Sequence, residues 1–252
     1  MLLTVDVGNT NTVLGLFDGD HLYESYRIKT DPRVTADELA LMFRGLLSDH
    51  QVPDGVAVCS TVPSVLDELR RMFARYFGGV PTVVVGPGVR TGVPLLYDNP
   101  REVGPDRIVN TLAAHTLYGG PAVVVDFGTS TNFDVVSAKG EFLGGALAPG
   151  IEISVDALAS RAARLFKVEL VEPRSVIGKT TSEALQSGLL YGFAGQVDGM
   201  VQRFADELGE RPVVLATGGL SHLMFRVCRS FDHHEPDLTL VGLRLIYERN
   251  LV

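Results

Sequence analysis

Two stretches of this chain carry the same hydrophobic pattern, an apolar run that stops at a short polar cluster and then resumes. In the first, Leu2, Leu3, Val5 and Val7 lead into Gly8-Asn9-Thr10-Asn11-Thr12, and Val13, Leu14, Leu16 and Phe17 continue to an Asp18-Gly19 turn. Apolar runs on either side of a small polar tip predict a β-hairpin. The second, Pro121 to Val136, reads PAVVVDFGTSTNFDVV, with Asp126-Phe127-Gly128-Thr129-Ser130 standing where Asp6-Val7-Gly8-Asn9-Thr10 stands in the first. One Asp-x-Gly triplet is an ordinary turn. Two in matched strand–turn–strand settings, each opening half of the chain, point to a duplicated core.

Between and after the hairpins, strand and helix patterns alternate. Tyr23 to Lys29 reads as a further strand, and Thr35 with Glu38 forms a capping-box signature ahead of Leu39, Met42, Phe43, Leu46 and Leu47, which share one helical face. Val56 to Ser60 predicts a strand, Ser64 to Phe77 a helix halted by Gly78-Gly79, and Thr82 to Val85 the next strand. Asp98-Asn99-Pro100 breaks the chain before a helix from about Asp106 to Gly119. A helix is predicted over Ile151 to Phe166, and a long one from the Thr180/Glu183 capping box to Leu208. Gly188, Gly192, Gly195 and Gly199 recur on one face of that long helix, where each costs about 1 kcal/mol relative to alanine, so that face is expected to pack closely on a neighbour. Val213 to Ala216 predicts a strand turning at Thr217-Gly218-Gly219. His233-His234 reads as a solvated loop, since adjacent histidines on regular structure do not share one metal ion.

The 252 residues exceed one ordinary domain and predict two α/β lobes, 1–118 and 119–252, each a β-hairpin with a βαβ core. Hydrophobic residues at 46% with no apolar run of about 18 predict neither a disordered chain nor a membrane-spanning one. The N-terminus has no basic segment of a secretion signal, so cytoplasmic residence is expected. A net charge of −8 argues against nucleic acid or an anionic membrane as the main partner. Cys59 and Cys228 are the two cysteines and read as free, buried thiols.

The hairpin tips supply the candidate chemistry. Each sets a carboxylate beside a glycine, hydroxyls and amides, and backbone N–H groups of a tight turn suit nucleotide phosphates. Asp106 stands near a helix start, where it serves equally as a first-turn acid favoured by the helix dipole or as a reacting group. A dipole there is expected to lower its pKa. The glycines of Gly144 to Gly150 permit close backbone approach to a ligand or to the facing lobe, while Pro149-Gly150 fits equally the punctuation of a strand-to-helix turn.

The two hairpins with Ala216-Thr217-Gly218-Gly219 resemble the actin, heat-shock-chaperone and sugar-kinase superfamily, two ribonuclease H-like lobes with a nucleotide cleft between them. DVGNTNT, YDNPREVGPDRIVN, VDFGTSTNFD, GGALAPGIEIS, GKTTSEALQSG, ATGGLS and DLTLVGLRLIYERN together resemble type III pantothenate kinases from end to end. The resemblance implies ATP-dependent phosphorylation of pantothenate to 4′-phosphopantothenate, the first step towards coenzyme A, by a homodimer. ATP would contact Asp6, Val7, Gly8, Asn9, Thr10, Asn11, Thr12, Val13, Thr129, Gly218 and Gly219. Pantothenate would lie against Tyr97, Gly104, Pro105, Arg107 and Thr181, with Asp106 accepting the hydroxyl proton. Asp126 would bind a monovalent cation, potassium or ammonium, and Asp6 would hold magnesium. The chain departs from the family at Arg161-Ala162 and Leu165-Phe166, where a Thr-Ala and a Leu-Pro are usual. Two rivals remain on the same fold, a sugar kinase or phosphatase, and an inactive regulator.

Overall fold

Leu3, Val5 and Val7 alternate with Leu2, Thr4 and Asp6 along β1 (Leu2–Val7), and the first three are fully buried. That alternation splits the strand into a face for a helical layer and a face that ends in a carboxylate. The computed structural model describes residues 1–48, 52–161 and 167–251. In the first unit β1 pairs antiparallel with β2 (Asn11–Asp18), which pairs antiparallel with β3 (His21–Lys29). On its other side β1 runs parallel to β4 (Gly55–Ser60), and β4 to β5 (Thr82–Val84), giving the order β3-β2-β1-β4-β5. Helices α1 (Ala36–Leu46) and α2 (Pro63–Tyr76) bury Leu39, Phe43, Val65, Leu69 and Met72 against Leu3, Val5 and Val7. The predicted capping box on α1 forms: Thr35 Oγ1 accepts from Glu38 N–H at 3.3 Å, and the Glu38 carboxylate accepts from Thr35 N–H at 2.9 Å.

The second unit repeats this plan. Strands β6 (Ala122–Phe127), β7 (Ser130–Val136), β8 (Phe142–Pro149), β9 (Val213–Thr217) and β10 (His233–His234) lie in the order β8-β7-β6-β9-β10, with the same parallel and antiparallel pairings. Even the irregularity is repeated, since the register shifts between Leu16 and Phe17 in β2 and between Val135 and Val136 in β7. Between β5 and β6 the chain forms α3 (Pro105–Tyr118), and between β8 and β9 it forms α4 (Ile151–Arg161) and α5 (Thr181–Leu208). After β9 come α6 (Ser221–Val227) and α7 (Leu238–Asn250). The expected helix to Phe166 is seen as far as Arg161; Ala162, Leu165 and Phe166 lie outside the described residues.

A single cut between 118 and 119 does not describe the compact units. The first holds Met1–Val93, Asp98–Ala113 and the chain from Leu238 onward; the second holds Pro94–Tyr97 and Ala114–Asp237. Helix α7 therefore returns to the first sheet, on the side opposite α1 and α2. Gly55 admits the Tyr247 ring where any β-carbon would overlap it, and Gly15 admits Leu240 in the same way. A sheet buried on both faces needs an apolar helix on each, and α1 and α2 cover one face only.

Two other expectations change, and the neighbour of the α5 glycine face is not found among the described residues of the chain. His233-His234 is not a solvated loop but the short parallel strand β10, half-buried against β9. The Thr180/Glu183 box is half-formed: Thr180 Oγ1 accepts from Glu183 N–H at 3.2 Å, while the Glu183 carboxylate accepts from Lys179 N–H at 3.0 Å and pairs with Arg174 at 2.6 Å. The α5 glycines pack on nothing in the chain, as no atom outside the helix lies within 4 Å of where their β-carbons would stand, among the described residues. They are exposed, opposite the buried face made by Ser187, Leu190, Ala194, Val197 and Val201.

Candidate active site

The first hairpin ends at a three-residue tip, Gly8 to Thr10, closed by Gly8 N–H donating to Asn11 C=O at 3.0 Å. Asn9 and Thr10 are exposed at its apex. Thr12 points inward and shares a 2.9 Å hydrogen bond with Thr30 Oγ1, and Val7 is fully buried, so these two offer a ligand only their backbone. Val13 is half-buried, paired in register with Asp6. The parallel pairing of β1 with β4 sets Cys59 opposite Asp6, and the Cys59 thiol donates to Asp6 Oδ1 at 3.1 Å. Burial pushes the Asp6 pKa up to about 6; the Cys59 hydrogen bond and Arg27 oppose that rise, and the Asp106 carboxylate adds to it. Burial, with Asp6 alongside, carries the Cys59 thiol well above its ordinary range, so it stays a protonated donor.

Asp106 reaches the same region from α3. Pro105 opens that helix, and Gly104 C=O accepts from Arg107 N–H at 3.2 Å. The Asp106 carboxylate folds back over Gly104, where a β-carbon would strike Oδ1. The helix start was expected to lower its pKa. The N–H groups of Arg107 and Asp106 and the Arg107 guanidinium do pull it down, but burial outweighs them and the pKa is raised. Asp6 and Asp106 are thus two desolvated carboxylates within electrostatic reach of one another.

In the second unit the matching tip is two residues, Gly128 and Thr129, closed by Gly128 N–H donating to Ser130 C=O at 3.0 Å. Thr129 is exposed. Gly150 donates to Thr129 C=O at 3.1 Å, and a β-carbon on it would collide with the Gly128 and Thr129 carbonyls. Pro149-Gly150 punctuates a strand-to-helix turn, ending β8 before α4, and its backbone lies against the hairpin tip of the same unit. Gly218 follows β9 with φ +90°, and a side chain there would strike Asp126 Oδ1 and the Phe127 backbone. Only glycine meets both demands. Gly219 beside it is exposed. Tyr97 lies 3.5 Å from the β-carbon position of Gly144 on β8, with its ring 5.9 Å from that of Phe142. Thr181 is exposed at the first turn of α5.

Sequence reasoning missed the Cys59 contact with Asp6 and the interactions of His234. The duplication held a signal for the first: Thr217 stands opposite Asp126 as Cys59 stands opposite Asp6, so each strand carries an S–H or O–H beside the hairpin carboxylate. Among the described residues no three His, Cys, Asp or Glu side chains gather as a metal-binding group.

Residues 2–203 match the family model described as type III pantothenate kinase. A type III pantothenate kinase from Frankia alni is 65% identical over 251 residues, covering 100% of both chains. One from Acidothermus cellulolyticus is 66% identical over 254 residues, covering 100% of this chain and 99% of its own. Among solved structures, the inorganic polyphosphate/ATP-glucomannokinase of an Arthrobacter strain superposes with a TM-score of 0.54 at 15% identity, covering 99% of each chain. The last likeness concerns the actin-like sugar-kinase fold alone.

Proposed function

The chain belongs to the type III pantothenate kinase family, and we propose on that premise that it transfers the γ-phosphoryl group of ATP to the primary hydroxyl of pantothenate. The observation that carries the reading is the pair of carboxylates in the first unit, one at a phosphate-type hairpin and one at the start of α3. Asp106 orients the hydroxyl and takes its proton late, as a loose phosphoryl-transfer transition state requires. The new O–P bond forms as the bond to the β-phosphate oxygen breaks, and ADP departs. A raised pKa suits this work better than an ordinary carboxylate's.

The remaining assignments follow the family residue by residue. Asp6 to Val13, Thr129, Gly218 and Gly219 contact ATP; Tyr97, Gly104, Pro105, Arg107 and Thr181 contact pantothenate, with the Arg107 guanidinium suited to its carboxylate. Asp6 is a hard oxygen donor, and a site with few carboxylates fits magnesium, which keeps waters and takes phosphate oxygens as its other ligands. When bound, the ion neutralises phosphate charge. Asp126 holds a monovalent cation. Potassium should therefore support turnover at least about tenfold better than sodium, an effect of the size one lost ion contact gives, and Asp126→Asn should erase the difference. The test is the mass of the product formed from ATP and pantothenate in the two salts. Absence of phosphopantothenate from folded protein in both would leave the regulator reading in its place.

We also propose a homodimer. Four exposed glycines weaken α5 with no neighbour packed on them among the described residues, which a second copy packed on that face would explain. Gly192→Leu with Gly195→Leu should halve the mass measured by light scattering; an unaltered mass would remove this face from the interface. Both cysteines are free thiols, Cys59 buried as expected and Cys228 only half-buried, which accords with a reducing cytoplasm, and no helix among the described residues is long and apolar enough to cross a membrane.

A further inference from the structure

We infer that His234, acting through Ser221, is a positioning residue for the Gly218-Gly219 turn and so for the nucleotide. Ser221 Oγ lies 2.7 Å from Gly218 C=O and 2.9 Å from His234 Nε2. A carbonyl oxygen has no hydrogen to give, so the Ser221 hydroxyl donates to Gly218. Its oxygen is then left to accept, and His234 must carry its hydrogen on Nε2. The result is a directional chain: His234 N–H to Ser221, Ser221 O–H to Gly218 C=O. Ser221 is 1% exposed, so water does not substitute for either partner.

Both ends of this chain are fixed. His234 pairs in register with Ala216 on β9, Glu235 N–H donates to Ala216 C=O at 2.8 Å, and the His234 ring stacks on Phe225 at 5.4 Å. Next to it, His233 stacks on Tyr118 at 4.0 Å, and the Tyr118 hydroxyl donates to Glu235. At the far end, Gly218 has φ +90° and lies against Asp126 and the Phe127 backbone. Gly218 C=O accepts from the Ser221 hydroxyl and also from the Ser221 N–H at 3.2 Å, and the His234 imidazole on β10 orients that hydroxyl, which restrains a turn that has no β-carbon of its own to hold it. Through Ser221 the imidazole is thus linked to the turn assigned to adenosine, and that turn lies against the second phosphate hairpin.

This inference rests on the nucleotide reading of the Gly218-Gly219 turn, so the experiment measures nucleotide binding directly as well as turnover. His234→Phe keeps a ring against Phe225 and removes the N–H; His234→Gln keeps an N–H near the Nε2 position and removes the ring. Calorimetric titration with ATP should show His234→Phe weakened about three- to tenfold, as one lost hydrogen bond gives, and His234→Gln close to wild type. In the kinase assay the loss should fall on the KM for ATP rather than on kcat or the KM for pantothenate. Ser221→Ala should match His234→Phe, and the double variant should be no worse than either. Should His234→Phe fold poorly, Ser221→Ala carries the same comparison. Wild-type ATP affinity in both single variants, or full additivity between them, overturns the inference. A wild type that binds ATP but leaves pantothenate untouched defeats the kinase reading while the affinity ratios still decide this one; a wild type that binds no nucleotide defeats both.

Discussion

Asp106→Asn should lower kcat for pantothenate phosphorylation by about 10²–10⁴-fold, the range a positioned general base contributes. The same substitution should leave thermal stability unchanged or slightly raised. The two readouts together separate the two roles open to an acid at a helix start. A carboxylate held for the helix dipole has a depressed pKa, and its loss costs about 0.3–1 kcal/mol. Asp106 has a raised one, because burial outweighs the Arg107 and backbone N–H groups that favour its charge. Its charge at neutral pH is therefore a burden on the fold that the Asn amide lifts. The acid limb of the kcat/KM profile should also lie above the ordinary carboxylate range, since the base works only when deprotonated, and the variant should lose the Asp106 contribution to it while keeping that of Asp6. Retention of more than a tenth of wild-type kcat would remove Asp106 from the chemistry. A fall in melting temperature with full activity would restore it to a capping role.

The hairpins, the α1 capping box and the duplication were legible because each is local. Period-two apolar runs, a Thr-x-x-Glu spacing and a repeated Asp-x-Gly need no knowledge of what lies across the sheet. The placement of α7 was not legible in this way, because Gly55 and Gly15 become docking positions only once Tyr247 and Leu240 are known to cross them. The same holds for Cys59, whose partner is fixed by a parallel register that the chain reaches only after α1. His233-His234 misled for a physical reason: two residues are too few to show a period, and their burial comes from Phe225 and Ser221 on a separate helix and from Tyr118, far away in sequence. For Asp106, the helix start pointed to a lowered pKa, and desolvation, which no spacing of residues displays, had the larger effect.

Asp6→Asn should stabilise the nucleotide-free protein at neutral pH while removing its activity. Folding raises the Asp6 pKa from 3.8 to about 6, chiefly by burial. A native state that holds the proton more tightly than the unfolded chain is most stable where the group is protonated in both. That contribution is full below pH 3.8 and is lost as pH rises through about 6. Above that point the ionised carboxylate costs about 1–3 kcal/mol, the lower part of the range allowing for the partial exposure of the residue. Asn keeps the oxygen that accepts from Cys59 and carries no charge, so the stabilisation should be present at pH 7.5 and shrink towards zero near pH 4. Chemical denaturation of both proteins at these two pH values gives the comparison. Equal stability at pH 7.5 would mean that the carboxylate is already compensated within the free protein. The gain should reverse when magnesium and ATP are added, because a cation favours the ionised form and a ligand that binds only the native state stabilises it by mass action. Wild type should then become the more stable protein. The hairpin carboxylate would thus lower the stability of the empty protein and raise that of the loaded one, with Cys59 keeping it in place in both.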